Sequence, residues 1–112
     1  MDLERRRTEW QVLKGLCRGL TDPLWDELWR EALGVHPDCF TQTDLREAFK
    51  TLHVLHRLER STPEDFPGIL QQQLEAAGLG GFNWHSLFTP SPSDPDIRDL
   101  RERIKSLGQR RH

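Results

Sequence analysis

A chain of 112 residues is one domain's worth of sequence, and 35% hydrophobic with 30% charged residues describes a strongly hydrated polypeptide with a modest core, about 13 Å in radius of gyration. The formal charge of −2 argues against a domain dedicated to nucleic acid, which is normally basic overall. No apolar run approaches the roughly 18 residues of a membrane span. Met1-Asp2-Leu3-Glu4-Arg5 carries no hydrophobic stretch of the signal-peptide type, so a cytoplasmic setting is expected. Cys17 and Cys39 do not make a disulfide framework, and reduced thiols fit that setting. The C-terminal Gln109-Arg110-Arg111-His112 is polar and reads as the edge of a longer protein.

The elements follow one rhythm in chain order: a Thr, Ser or Asp opens an amphipathic segment, and Gly or Pro closes it. Helix 1 is expected from about Leu3 to Leu20, where Trp10, Leu13, Leu16, Cys17 and Leu20 recur at helical spacing. Gly15 and Gly19 weaken it and point to a close neighbour or a bend. After Thr21-Asp22, Pro23 starts helix 2, whose stripe is Leu24, Trp25, Leu28, Trp29 and Ala32, with Gly34 as the stop. Val35 to Phe40 leaves room for no more than one helical turn.

The stretch from Thr43 to Arg60 carries the most regular pattern, with Leu45, Ala48, Phe49, Leu52, Leu55 and His56 on one face and Val54 and Leu58 widening it. It is expected to be the central, most buried helix. A further helix opens after Thr62, tolerates Pro67 early, runs through Phe66, Ile69, Leu70 and Leu74, and stops at Gly78. Phe82 to Phe88 reads as a short helix docking Phe82, Trp84 or Leu87. Thr89 to Pro95, with three prolines, is an extended linker. The last helix, Pro95 to Leu107, carries the narrow seam Ile97, Leu100, Ile104 and Leu107, expected to pack back on the bundle. No strand and no internal repeat is expected. Residues 1–88 therefore form a helical bundle, 89–95 a linker, and 96–112 a C-terminal helix with a polar tail.

Chemistry-bearing constellations are sparse. His36-x-x-Cys39 and His53-x-x-His56 have a zinc-like spacing, because zinc takes four ligands in sequence-close pairs. A one-Cys, three-His structural site is uncommon, however, and the competing reading puts His56 at the core edge and His53 in solvent. Cys39 beside His36 and Asp38 lacks an aligned triad, Cys17 lies on an apolar stripe, and Gly78-x-Gly80-Gly81 follows a helix instead of opening one. The expectation is a non-enzyme without metal or cofactor. Trp25 and Trp29, one turn apart, are candidate aromatic anchors for a partner, although at least one of them is expected in the core.

Leu20-Thr21-Asp22-Pro23-Leu24-Trp25-Asp26-Glu27-Leu28 resembles the second helix of death-effector domains. Asp44-Leu45-Arg46-Glu47-Ala48-Phe49 through Leu58 resembles a fourth helix of the effector or caspase-recruitment kind. Pro63-Glu64-Asp65-Phe66-Pro67-Gly68-Ile69-Leu70, continuing to Gly78, is similar to the fifth helix of caspase-recruitment domains. Over residues 8–88 the chain thus resembles the death-fold superfamily, in an atypical, caspase-recruitment-like form. Helix 3 is nearly absent, the arginine-aspartate-leucine signature of effector domains is missing at its usual place, and the C-terminal helix is additional.

The resemblance implies an all-α, antiparallel six-helix bundle of death-fold type plus that extra helix. It also implies homotypic or heterotypic assembly with another death-fold domain in innate-immune, inflammatory or apoptotic signalling. The acidic face would be Asp22, Asp26, Glu27 and Glu31, with Glu64 and Asp65 as a second candidate. The basic face would be Arg5, Arg6, Arg7, Lys14 and Arg18, or Arg46, Lys50 and Arg57. Two other readings compete. One is a helical adaptor gripping a peptide or amphipathic helix through Trp25 or Trp29. The other is a small nucleic-acid-binding bundle using Arg5 to Arg7 with Arg110 and Arg111.

Overall fold

Helix α1 spans Asp2–Thr21, α2 Glu27–Ala32, α3 Thr43–Arg57, α4 Phe66–Ala76 and α5 Ile97–Gln109, with 3-10 turns at Pro37–Cys39, Pro63–Asp65 and Trp84–Phe88. The computed structural model describes residues 2–57, 63–81, 83–89, 91 and 94–109, and no strand occurs among them. The expectations placed on Leu58 to Thr62, Phe82, Pro90, Pro92, Arg110 and Arg111 lie outside the described residues. The Cα radius of gyration is 13.0 Å, the size expected from chain length.

The helix at the centre is α1, not the segment beginning at Thr43. It touches α2, α3, α5 and the turn at Trp84–Phe88, and Glu9, Val12, Leu13, Gly15, Leu16, Cys17 and Gly19 are all buried. The amphipathic pattern hides this, because two of the positions turned inward are glycines and one is a carboxylate. At Gly15 an added Cβ would lie 2.6 Å from Leu100 Cδ1, and at Gly19 it would lie 2.8 Å from the Trp25 carbonyl oxygen. Close approach of neighbours is therefore what the two glycines are for. Helix α3 supplies the other large wall with Leu45, Ala48, Phe49, Leu52 and Leu55, while Val54 points outward. Arg6 and Glu9 meet Asp44 and Thr41 before and at the start of α3, and Trp29 links Leu16 to His56 near its end. Helices α1 and α3 thus run in the same sense.

The second helix starts later than Pro23. Asp22 Oδ1 accepts the Leu24 amide at 3.0 Å, and amides at Trp25, Asp26, Leu28 and Trp29 bond three residues back. That tight winding holds residues 23–26 as turns, and α-helical bonding begins only at Glu27. Leu24, expected on the buried stripe, is 79% exposed as a result. The single turn foreseen after Gly34 is the one at Pro37–Cys39, and it drops Phe40 into the core against Phe49, 4.7 Å between ring centres. Helix α4 ends where Gly78 adopts φ +82°, with Leu79 N bonding Leu74 O and Gly78 N bonding Glu75 O, a Schellman arrangement. Gly34 needs no such conformation, and α5 continues past Gly108.

The C-terminal helix packs back. Leu100, Ile104 and Leu107 are buried against α1 and α2, and Ile97 is half-buried. Two glycine substitutions should consequently move stability in opposite directions. Gly68 in α4 has nothing within 4 Å of an added Cβ, so Gly68→Ala is expected to stabilise by about 0.5–1 kcal/mol. Gly19→Ala gains the same propensity but drives a methyl into backbone, and should destabilise by about 1–3 kcal/mol. Urea unfolding midpoints of the two variants check both signs.

Candidate functional site

The acidic residues around α2 do not stand as one open face. Glu27 Oε1 meets Arg101 of α5 at 2.6 Å, and Asp26 Oδ1 meets His56 Nε2 of α3 at 3.2 Å. Asp22 caps the following turn and lies 3.8 Å from Arg18 Nε. Glu31 is half-exposed and makes no ion pair among the described residues. Glu64 and Asp65 sit exposed on the turn before α4, on another element.

Several of the basic candidates also serve the fold. Arg6 grips Asp44 through two parallel bonds of 3.1 and 2.8 Å. The Arg6 hydrogen bond holds the Asp44 carboxyl below its ordinary range against the opposing effect of burial, and the same bond raises the Arg6 guanidinium. Lys14 Nζ reaches Asp94 at 2.8 Å, Arg46 donates to the Phe40 carbonyl, and Lys50 pairs with Glu47 one turn away at 3.2 Å. Arg18 lies over the Trp25 ring, 4.2 Å from its centre. Arg5, Arg7 and Arg57 are exposed and make no ion pair among the described residues. These three, with Glu31 and Glu64, are the expected interaction charges that remain uncommitted.

The tryptophans divide. Trp29 is 1% exposed, donates its indole N–H to the Leu16 carbonyl at 3.0 Å, and is stacked on His56 at 4.6 Å, so it is core and cannot anchor a partner. Trp25 stays half-buried at the surface. His53, expected in solvent, is instead half-buried between Trp29 and Phe49, with ring centres 6.2 and 6.3 Å away. Desolvation pushes its pKa down, assisted by the charges of Arg57 and His56. His36 turns away to accept the Asp38 amide, and Cys39 is buried. The two zinc-like pairs are therefore not brought together; no cluster of three or more metal-ligating groups forms among the described residues.

A feature that the sequence does not announce is a half-open cleft of about 270 Å³ beside Trp25. Its floor is Gly15, Cys17, Leu87 and Leu100, and its rim carries Lys14, Arg18, Asp22 and Asp94. The linker residues Asp94 and Pro95 line it as well. Burial raises the Cys17 thiol well above its ordinary pKa, which makes it an inert wall group and not a nucleophile. Glu9 was equally hidden from pattern reading: fully buried, it accepts the Thr41 amide and hydroxyl and fixes the approach to α3. Its only sequence signal is a carboxylate at an inward-facing position of α1.

Comparison with protein-family models, curated proteins and solved structures finds no match to this chain. No described helix is long and apolar enough to cross a membrane. The residues themselves therefore carry the functional argument.

The half-buried His53 has a measurable consequence. Its folded-state pKa lies below the ordinary 6.5, so the unfolded chain binds more protons near that pH. Stability associated with neutral His53 is present above about 6.5 and is lost as pH falls through that value towards the folded-state pKa. Unfolding free energies from pH 5 to 8 should rise with pH across the lower part of that range, and His53→Gln should flatten the slope. An unchanged slope would contradict the assignment.

Proposed function

We propose that this chain is a non-enzymatic protein–protein interaction module of the death-fold type, assembling with a second copy or with another death-fold domain in cytoplasmic signalling of the innate-immune, inflammatory or apoptotic kind. The observation that carries this reading is the order of helical segments ahead of residue 89. A long α1, a short α2, a single turn at Pro37–Cys39, a long α3, α4 and a final turn at Trp84–Phe88 share one buried core. That order supports the six-segment reading, with the third and sixth helices reduced to 3-10 turns.

Charge supports the mode of assembly. Once the charges tied up inside the fold are set aside, Arg5 and Arg7 on α1 and Arg57 on α3 offer the basic surface. Glu31 on α2 and Glu64 before α4 offer the acidic one, so opposite signs sit on different elements, as head-to-tail docking requires. Exposed ion pairs are individually weak, and several must converge for assembly. Light scattering after size exclusion should show reversible oligomers that shrink as salt rises. Arg5→Glu with Arg7→Glu should abolish them, and Glu31→Arg with Glu64→Arg should do the same. A 1:1 mixture of the two double variants should recover heterodimers, because one intact complementary contact survives. Monomers under all conditions, with no response to charge reversal, would defeat the homotypic form of this reading.

A peptide-binding adaptor is favoured by one observation, the cleft beside half-buried Trp25 with its apolar floor. Binding by that route would be lost in Trp25→Ala and indifferent to Arg5→Glu with Arg7→Glu.

A further inference from the structure

Helix α5 lies in a groove between α1 and α2, and the groove fits it in detail. Leu100 occupies the notch left by Gly15, with Cδ1 only 2.6 Å from where a Cβ would stand. Ile104 and Leu107 continue the same seam and are buried, and Val35 closes its far end beside Gly108, 3.6 Å from an added Cβ there. Polar clamps flank the seam, Glu27 to Arg101 at 2.6 Å and Gln11 to Arg103, and Lys14 holds Asp94 of the preceding linker at 2.8 Å. The acceptor thus reads both the apolar spacing and the charge pattern of its occupant.

The occupant is tethered in a way that permits exchange. Eight residues, 89–96, separate α5 from the preceding turn, and Pro90, Pro92 and Pro95 lie among them. Within the tether Asp94 N bonds Ser91 O and Asp94 Oδ2 accepts the Ser91 amide, while Lys14 holds the same carboxylate, so exchange requires that turn and that ion pair to open. A free helix of thirteen residues is marginal in water, so α5 is stable where it is docked and nowhere else. The contacts that hold α1 to α3, α3 to α4 and α4 to the turn at Trp84–Phe88 do not involve it. When α5 lifts, Leu100, Ile104 and Leu107 leave the core they share with α1 and α2, and the released helix meets two chemically identical grooves: its own and that of a neighbouring molecule.

We propose that the α1–α2 groove is an acceptor site for an amphipathic helix of α5 sequence, filled in cis in the monomer and in trans by the α5 of a second copy, so that two chains exchange C-terminal helices reciprocally. The exchanged dimer repeats the contacts that α5 makes in the monomer, and its formation depends on concentration and on transient release of α5. It is independent of the charge-driven docking proposed above. An exchanged dimer, once formed, survives high salt because buried Leu100, Ile104 and Leu107 hold it, whereas rim-charge docking does not.

The test uses the full chain with Glu27→Cys and Arg101→Cys, two partly exposed positions that face one another; the native thiols Cys17 and Cys39 are buried. The protein is concentrated in sub-denaturing urea, returned to buffer at high salt, and separated by size exclusion. Each pool is then treated with a short bismaleimide and run on a denaturing gel. The expected result is a persistent dimer pool that yields covalently linked dimers and a monomer pool that yields only intrachain links. A dimer pool giving only intrachain links, or no dimer at any concentration, would overturn the proposal. Ile104→Asp provides a second reading in an otherwise unaltered chain: it should remove the salt-resistant dimer, and dimers formed as by the unsubstituted protein would also overturn it.

Discussion

A helix covered on opposite sides must surrender side-chain volume and satisfy whatever polarity it buries, and α1 meets both demands. Gly15 and Gly19 let Leu100 and the Trp25 backbone approach within the space of a methyl group. Glu9 is buried but binds the amide and hydroxyl of Thr41, and the Leu16 carbonyl accepts the Trp29 indole proton. Each of these contacts pins a different element to α1: α5, the turn before α2, the approach to α3, and α2 itself. The arrangement of the other helices follows from that one buried rod.

The same geometry decides which charges are available for recognition. Arg6 and Lys14 of α1 and Glu27 of α2 are engaged with Asp44, Asp94 and Arg101. These pairs are partly exposed and contribute modestly to stability, yet they fix register between distant parts of the chain. What remains uncommitted lies at the periphery, at Arg5, Arg7, Arg57, Glu31 and Glu64. Surface charge on a small bundle is a residue of folding as much as a design for binding.

Periodicity made α1, α3, α4 and α5 legible, since apolar spacing of three and four reports burial on one face. It failed where burial has no apolar signature. The inward positions of α1 include glycines and Glu9, so periodicity does not show its central role, and the denser stripe of α3 points there instead. The turn at residues 23–26 has no signature of its own, because Asp22 and Pro23 also open helices. The candidate interaction surface was half legible: residue types reveal sign, but pairs such as Arg6 with Asp44 or Lys14 with Asp94 span 38 and 80 residues and arise only on folding. The cleft beside Trp25, assembled from α1, the turn and the linker, has no local signal at all.

Native-state hydrogen exchange followed by NMR addresses the central position of α1 and the peripheral position of α5 together. Amides of α1 from Val12 to Gly19 should exchange only through global unfolding, at the free energy measured by urea, together with those of α3. Amides of α5 should exchange through a smaller opening at lower free energy, leaving α1 and α3 protected. Protection of α5 equal to that of α1, or early exchange in the middle of α1, would contradict this hierarchy.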